Sequence, residues 1–344
     1  MADPIVILGS GLAGYAVARE FRKLDRDAPL VMVSRDAGDF YAKPMLSNAL
    51  AQGKTPAALV TTPGERMAEQ LGLTLIKRTE VHALDTAVRS LRTADGDIAY
   101  SKLVLALGAD PIRLPLSGDA AGEVLSVNDL DDYAGLRAAI EGKRRVALLG
   151  AGLIGCEFAN DLAGAGYEVE VLDPAPWPLG RLLPEASGDA LREGLAAAGV
   201  RWRLGVTAQR VDRAGNSLQL TLSDGSALDT DVVVSAVGLA PRTGLAQAAG
   251  IAVRRGIVAN RCLATSAADV YALGDCAEVE GLWLPYVMPI MNAARALAKT
   301  LAGSPTPVSY PAMPVVVKTP ALPTVVAPPR LGAAGRWRIA PGEG

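Results

Sequence analysis

The sequence has few of the residues that build disulfide frameworks and metal sites. It contains one histidine, His82, and three cysteines, which are Cys156, Cys262 and Cys276, and no two cysteines form a C-x-x-C pair. This spacing indicates neither a disulfide scaffold nor a zinc site. We therefore expect no bound metal and a reducing, cytoplasmic setting for the protein.

Long apolar runs and blocks of like charge are also missing. No uninterrupted apolar run reaches the roughly 18 residues that a membrane helix needs. The apolar opening at residues 5–18 is broken by glycines and lacks the basic start of a signal peptide. The formal net charge is −2 at pH 7, and no long run of like charges occurs. We therefore predict that neither a membrane nor a nucleic acid is a partner.

Glycine is abundant, with 36 residues, and one cluster of glycines follows a short apolar run at residues 5–8. The cluster has the spacing G-x-G-x-x-G and opens a helical pattern through Leu24, before a second apolar run at residues 30–33. In such a strand–turn–helix unit the glycines allow a tight turn and a close approach of a pyrophosphate, while the helix start presents unpaired N–H groups. The predicted dinucleotide-binding turn comprises Gly9, Ser10, Gly11, Leu12, Ala13 and Gly14.

The same arrangement returns 141 residues later in the chain. An apolar run at residues 146–149 leads into a second G-x-G-x-x-G cluster and a helical stretch through Ala163. Two matches with correct flanks rarely arise by chance, so we predict two dinucleotide sites rather than glycine turns in a nucleotide-free α/β fold. The second turn comprises Gly150, Gly152, Leu153, Ile154 and Gly155.

An acid at the end of the second strand of such a unit holds a ribose hydroxyl. Asp173 occupies this place in the second unit, and its charge favours NADH over a cofactor with a 2′-phosphate, although Arg181 follows nearby. The corresponding strand of the first unit ends in Ser34, Arg35 and Asp36. Asp36 is either a displaced ribose-binding acid or a solvated turn residue, and the sequence leaves both interpretations open.

A third element lies late in the chain, where an apolar strand ends in Gly274 and Asp275. A short carboxylate beside a flexible glycine can bind the ribityl hydroxyls of a flavin. With the two glycine turns and the strand ends that carry Gly108 and Gly238, the sequence resembles the FAD-dependent pyridine nucleotide-disulfide oxidoreductases from about residue 4 to 330. The resemblance implies that the first turn and the Gly-Asp pair bind FAD and that the second turn binds the nicotinamide cofactor.

The resemblance also implies the fold and its division into domains. We expect an α/β fold with two Rossmann-like domains, as in glutathione reductase, and a small C-terminal α+β domain. The FAD-binding domain is expected to be discontinuous, formed by residues 1–112 and 243–310, with the NADH-binding domain inserted at 113–242.

The composition shifts towards proline and valine in the predicted C-terminal domain, residues 311–344. Short candidate strands lie at residues 315–317 and 324–326. The resemblance implies that relatives run some tens of residues past Gly344, so we expect this domain to be incomplete.

The sequence lacks the redox cysteines of several branches of this fold. Disulfide reductases carry a cysteine pair, and peroxidase or oxidase members carry one cysteine near position 45, whereas residues 41–47 read YAKPMLS. Electrons are therefore expected to leave the flavin directly for an external acceptor. Cys276, beside Asp275, is expected to be a small buried hydrophobe rather than a nucleophile.

Four segments resemble the rubredoxin reductases and the related flavorubredoxin reductases: residues 43–47, 128–133, 286–295 and 317–320. This resemblance implies an enzyme that passes electrons from NADH through FAD to rubredoxin, a small iron–sulfur protein with one cysteine-ligated iron. Flavin suits this task because it accepts two electrons and can release them singly. Three alternatives stay open: an NADH oxidase or quinone-type reductase, a ferredoxin or flavorubredoxin reductase, and a nucleotide-binding module without rapid turnover.

Residue roles follow from the charge of the flavin. A reduced flavin carries negative charge, which a lysine or the start of a helix would stabilise. Lys43 and Lys318 are the candidate lysines for this role. The candidate helix begins near Pro289, preceded by Val287, and its dipole would act on the flavin. The resemblance further pairs a lysine at position 43 with Glu157, which would orient the nicotinamide amide. Either lysine is alternatively a solvated surface charge.

The remaining site residues are assigned by position. The resemblance implies that main-chain groups at Val81 contact the adenine, and Pro44 is counted with Lys43 in the flavin site. The predicted catalytic residues are Lys43, Glu157 and Lys318.

Overall fold

The computed structural model describes residues 3–327, 334–338 and 340, and the chain divides into two compact units. Unit 1 consists of Met1–Met45, Pro56–Asp110 and Leu239–Met313, and unit 2 consists of Leu46–Thr55, Pro111–Gly238 and Pro314–Gly344. The three-domain division predicted from the sequence remains a proposal. Within its C-terminal domain, residues 328–333, 339 and 341–344 lie outside the described residues.

The described residues form 23 strands, eight α-helices and three short 3-10 helices. The strands are β1 Ile5–Leu8, β2 Leu30–Val33, β3 Phe40–Tyr41, β4 Val60–Thr62, β5 Thr74–Ile76, β6 Val81–Asp85, β7 Ser90–Thr93, β8 Gly96–Ala99, β9 Lys102–Leu105, β10 Ala109–Pro111, β11 Arg145–Leu149, β12 Glu168–Asp173, β13 Val200–Leu204, β14 Ala208–Ala214, β15 Ser217–Leu222, β16 Ala227–Thr230, β17 Val232–Ser235, β18 Leu239–Pro241, β19 Ile257–Ala259, β20 Val270–Ala272, β21 Ala277–Val279, β22 Val315–Val317 and β23 Thr324–Val326. The α-helices are α1 Leu12–Arg22, α2 Pro56–Leu59, α3 Gly64–Leu71, α4 Leu130–Ile140, α5 Leu153–Gly164, α6 Glu185–Ala197, α7 Gly244–Ala248 and α8 Val287–Leu301. Short 3-10 helices span Lys43–Asn48, Ala121–Glu123 and Gly274–Cys276.

Unit 1 is built on a parallel sheet with the strand order β20-β9-β1-β2-β5. All four residues of β1 are buried, as expected for a parallel strand that is covered on both faces. The register places Leu8 beside both Val33 and Leu105, and Leu105 beside Ala272. The carboxyl ends of four strands therefore meet at one edge of the sheet.

Helices α1 and α8 pack against each other in unit 1. Both helices bury alanines, among them Ala16 and Ala18 on α1 and Ala293 and Ala294 on α8. Such small side chains let two helix backbones approach closely. Their buried residues join the strands in one hydrophobic core.

Unit 2 repeats this plan with a parallel sheet of the order β13-β12-β11-β17. Leu149 at the end of β11 aligns with Leu172 and Ser235, so three strands again end at one edge. A three-stranded antiparallel sheet, β14-β15-β16, follows. The candidate strands predicted at residues 315–317 and 324–326 are confirmed as an antiparallel pair.

Close packing requires a glycine at the third glycine position of each G-x-G-x-x-G turn. A Cβ atom at Gly14 would lie 1.9 Å from the carbonyl oxygen of Gly9, and a Cβ atom at Gly155 would lie 1.9 Å from that of Gly150. Because both obstacles are main-chain atoms at the junction of strand and helix, no side-chain movement can relieve the overlap.

We expect Gly155→Ala to lower the free energy of unfolding of the FAD-free protein by about 1–3 kcal/mol or more, because the added methyl overlaps main-chain atoms. Urea unfolding followed by circular dichroism measures this. The control is Gly152→Ala, where φ is −75° and no described atom lies within 4 Å of the added Cβ. The control should change stability by no more than about 1 kcal/mol. Equal stability of the two variants would contradict the packing argument.

Candidate active site

The first glycine turn of unit 1 leaves open space at its central glycine. Gly9 has a φ of +117°, and a Cβ there would lie 2.3 Å from the carbonyl oxygen of Ala106. At Gly11, by contrast, no described atom lies within 4 Å of the added Cβ. Gly11 is the N-cap of α1, and no side chain of the described residues caps its N–H groups. The turn therefore offers space and unpaired donors, which is what a pyrophosphate needs.

The late Gly-Asp element lies against this turn. Gly274 has a φ of +78°, and a Cβ there would lie 2.9 Å from the Cβ of Ala13. Burial raises the pKa of the adjacent Asp275 carboxyl, and the charges of Lys43 and Arg242 act in the opposite direction. The structure thus brings the first turn, Asp275 and the charge of Lys43 together within unit 1, which fits the elongated FAD.

Asp36 contacts the first turn through two hydroxyl groups. Its Oδ1 accepts hydrogen bonds from Ser34 Oγ at 2.6 Å, from Ser10 Oγ at 3.1 Å and from the Gly38 N–H at 2.8 Å. The Ser10 and Ser34 hydroxyl oxygens are 2.6 Å apart. Asp36 therefore stabilises the first turn through these hydrogen bonds, and its contact with a ribose remains a prediction. The side chain of Arg35 is exposed.

Two further predicted site residues, Val81 and Gly108, lie in unit 1. Val81 begins β6 and is half-buried, and the nearby Thr79 donates its N–H to the carbonyl of Ser34 at 2.9 Å. Gly108 has a φ of +71°, and its carbonyl accepts the N–H of Arg242 at 3.0 Å.

Arg242 is a residue that sequence reasoning missed as part of the site. Its Nη1 donates to the carbonyl of Leu107 at 2.8 Å, and its Nε donates to Asp110 Oδ1 at 2.7 Å. Arg242 directly follows Pro241 at the second proline-bearing strand end, and this position is its signal in the sequence.

The expected start of α8 needs correction. The sequence placed Val287 before a helix beginning near Pro289, whereas the helix begins at Val287 with Tyr286 as its N-cap. Tyr286 has extended backbone angles, and Pro289 sits in the first turn, where its missing N–H costs no intrahelical hydrogen bond. Val287 is therefore the first helical residue, and Pro289 lies inside the helix rather than at its start.

The second glycine turn, in unit 2, repeats the geometry of the first. Gly150 has a φ of +106° and approaches the carbonyl of Ala236, while the space at Gly152 is open. The Asp173 carboxylate lies at this turn, where Oδ2 accepts the N–H of Ala151 at 2.6 Å and Oδ1 accepts that of Ala175 at 2.7 Å. Gly238, with a φ of +125°, accepts the N–H of Ile112 at 3.0 Å. The acid predicted for the ribose is thus held at the mouth of the second turn.

Glu157 lies one turn into α5 and is buried, with 2% exposure. Its Oε1 accepts the main-chain N–H of Lys318 at 3.0 Å, and its Oε2 accepts from Lys318 Nζ and from Ser47 Oγ, the latter at 2.5 Å. The structure therefore brings two predicted catalytic residues together and adds Ser47, which sequence reasoning did not select although it ends the KPMLS segment. The pairing of Glu157 with Lys43, which the resemblance implied, remains a prediction.

The cysteines are free and do not form a redox pair. Burial raises the pKa of Cys276 to about 11 and that of Cys156 to about 12. Cys276 is fully buried, and its Sγ contacts the carbonyls of Leu105 and Leu273. The interpretation of Cys276 as a small buried hydrophobe is therefore confirmed.

The part of the chain that the structure describes holds no group of three or more histidine, cysteine or acidic side chains placed to bind a metal. In the same part of the chain, every helix is too short or too polar to cross a bilayer.

Comparison with known proteins identifies the family. Residues 3–298 match the pyridine nucleotide-disulphide oxidoreductases, and residues 307–344 match a rubredoxin binding C-terminal domain. The chain belongs to the pyridine nucleotide-disulphide oxidoreductase family. Members of this family contain FAD and depend on NAD(H), so the chain is an FAD-dependent oxidoreductase.

Individual relatives cover most of the chain. A rubredoxin-NAD(+) reductase of Alcanivorax borkumensis is 51% identical over 337 residues, which cover 98% of this chain and 88% of the relative. A rubredoxin-NAD(+) reductase of Acinetobacter baylyi is 47% identical and covers 91% of this chain and 81% of its own. The crystal structure of the ferredoxin reductase for the CYP199A2 system from Rhodopseudomonas palustris has a TM-score of 0.84 at 32% identity, covering 90% of this chain and 79% of that one. These findings confirm the predicted fold and the predicted resemblance.

We expect Asp275→Asn to stabilise the FAD-free protein at neutral pH while weakening FAD binding. Because burial raises the pKa of Asp275 in the folded state, the ionised carboxylate costs stability once the pH rises above the value of an unfolded aspartate. The gain in free energy of unfolding should therefore be present at pH 7 and vanish below about pH 4. Urea unfolding at several pH values and flavin fluorescence titration measure the two effects.

The matched control for this prediction is Asp231→Asn. Arg145 hydrogen bonds hold the pKa of Asp231 below its ordinary value, so this variant should lose stability at pH 7. A stabilised control, or an Asp275→Asn protein that binds FAD normally, would contradict the assignment.

Proposed function

We propose that this protein is a rubredoxin reductase, which takes electrons from NADH and passes them through FAD to rubredoxin. The observation that carries the choice of acceptor is the match of residues 307–344 to a rubredoxin binding domain. Two relatives at 51% and 47% identity, which are named rubredoxin-NAD(+) reductases, also support this choice of acceptor. FAD, when bound, supplies the step from a two-electron donor to a one-electron acceptor.

The residues of unit 1 would hold FAD. The open space at Gly11 and the N–H groups at the start of α1 suit the pyrophosphate. Asp275 suits the ribityl hydroxyls, and Ser10 with Asp36 suits the adenosine ribose. Lys43 would contribute positive charge toward a reduced flavin, because it already acts on the Asp275 carboxyl.

The residues of unit 2 would hold NADH. The open space at Gly152 suits the second pyrophosphate, and the carboxylate of Asp173 would accept a ribose hydroxyl and repel a 2′-phosphate. Glu157 would accept the carboxamide N–H of the nicotinamide and so orient the ring. Lys318 would hold the Glu157 carboxylate in place through their ion pair.

Other electron carriers form the second candidate class. A nitric oxide reductase FlRd-NAD(+) reductase of Aeromonas salmonicida is 41% identical over 310 residues, which favours flavorubredoxin as an alternative acceptor. For either carrier we propose a cytoplasmic location, which the free thiols support.

Anaerobic stopped-flow spectroscopy tests the proposal. We expect NADH to bleach the flavin absorbance rapidly and NADPH to do so at least about tenfold less efficiently, because a 2′-phosphate would meet the charge of Asp173. A second mix with oxidised rubredoxin should restore the flavin absorbance within the turnover time. Bleaching by NADH without reoxidation by rubredoxin would reject this acceptor, and rapid reoxidation by quinone or oxygen in its place would favour the oxidase alternative.

A further inference from the structure

Residues 46–55 are attached to helix α5, although the chain before and after them belongs to unit 1. We call this segment the strap. Asp161 on α5 holds its middle, since Oδ2 accepts the N–H of Leu50 at 2.8 Å and Oδ1 accepts that of Ala51 at 3.0 Å. The carbonyl of Lys54 accepts from Tyr133 Oη at 2.9 Å and from Arg137 Nη1 at 3.0 Å, which holds the far end.

The near end of the strap carries Ser47, whose hydroxyl contacts Glu157. Ser47, Glu157 and Asp161 are each 2% exposed, so water does not compete for these hydrogen bonds. Asp161 lies one helical turn beyond Glu157 on α5, and it binds the strap at Leu50 and Ala51, three and four residues beyond Ser47. The strap therefore places the Ser47 hydroxyl against the Glu157 carboxylate. Asp161 fixes the position of the strap.

The hydrogen bonds of Glu157 show what this hydroxyl does. A carboxylate offers about four lone-pair sites, two on each oxygen. Among the described residues, Ser47 Oγ and Lys318 Nζ fill both sites on Oε2, and the Lys318 N–H fills one on Oε1. The carboxylate is thus fixed in rotation, and its remaining acceptor site lies on Oε1.

We infer that Ser47 is a positioning residue for NADH: its hydroxyl fixes the Glu157 carboxylate so that a single oxygen, Oε1, receives the nicotinamide carboxamide. Asp161 is the second positioning residue, because it holds the strap that carries Ser47. This inference rests on the proposed contact between Glu157 and the nicotinamide.

The buried Asp161 carboxylate supports this assignment. Burial raises its pKa, and the main-chain N–H groups of the strap act in the opposite direction. A carboxylate in this place opposes folding at neutral pH unless those N–H groups are bound to it, so the strap and Asp161 require each other.

The test compares Ser47→Ala, Asp161→Asn and Glu157→Gln in the FAD-loaded protein. Calorimetric titration with NAD⁺ gives the dissociation constant, and hydrogen exchange of the Leu50 and Ala51 amides reports the strap. We expect Ser47→Ala to raise the dissociation constant for NAD⁺ at least about tenfold, because the variant loses a hydrogen bond to a charged group. Hydrogen exchange of the Leu50 and Ala51 amides should stay unchanged in this variant. Asp161→Asn should weaken NAD⁺ binding similarly and also accelerate exchange at both amides.

The double variant Ser47→Ala/Glu157→Gln separates a positioning role from general damage. If Ser47 acts through Glu157, the double variant should bind NAD⁺ no more weakly than Glu157→Gln alone. Thr230→Val is the matched control, because it removes a buried hydroxyl of unit 2 whose partners among the described residues are the main-chain carbonyls of Arg145 and Val232. This control should leave NAD⁺ affinity unchanged.

The outcomes distinguish the inference from the proposal on which it rests. Weakened binding in Glu157→Gln with unchanged binding in Ser47→Ala would overturn the inference alone. Unchanged binding in Glu157→Gln would instead remove the proposed role of Glu157, and the inference with it. Additive losses in the double variant would show that Ser47 acts independently of Glu157.

Discussion

The close contact between the first and third glycines of each turn is the constraint on which both candidate nucleotide sites depend. With 1.9 Å between the missing Cβ and a carbonyl oxygen, helix and strand approach each other more closely than any side chain would permit. That approach sets the start of α1 and of α5 at the carboxyl edge of its own sheet. The central glycine of each turn then faces open space beside unpaired N–H groups, so an anion site follows from the packing.

The two units differ in how an aspartate contacts the glycine turn. In unit 2, Asp173 accepts an N–H of the glycine turn directly. In unit 1, Asp36 lies beyond the strand end and reaches the turn through the Ser10 and Ser34 hydroxyls. Unit 1 also has the contact of Gly274 with Ala13, which adds a carboxylate beside the turn. The same packing of strand and helix is therefore surrounded by different polar groups in the two units.

Local features of the fold were predictable from the sequence, and features that depend on distant contacts were not. The strands at residues 5–8 and 30–33 have the predicted bounds, because parallel strands buried on both faces are unbroken apolar runs that end at glycine or polar residues. The start of α8 was placed two residues late, since proline marks the first turn and not its first residue. Ser47 and Asp161 went unselected because their partners lie 110 and 111 residues away in the sequence.

Two buried carboxylates, those of Asp161 and Asp275, differ in the groups that offset their burial. Burial raises the pKa of both Asp161 and Asp275, so each opposes folding when ionised. Asp161 recovers this cost within the protein, because its two oxygens accept main-chain N–H groups of the strap. Among the described residues, the charges of Lys43 and Arg242 offset the effect of burial on the pKa of Asp275, and its carboxylate has no corresponding main-chain hydrogen bonds. A ligand that brings hydroxyl donors to Asp275 would replace the lost hydration, and FAD binding and folding stability are then linked through this one carboxylate.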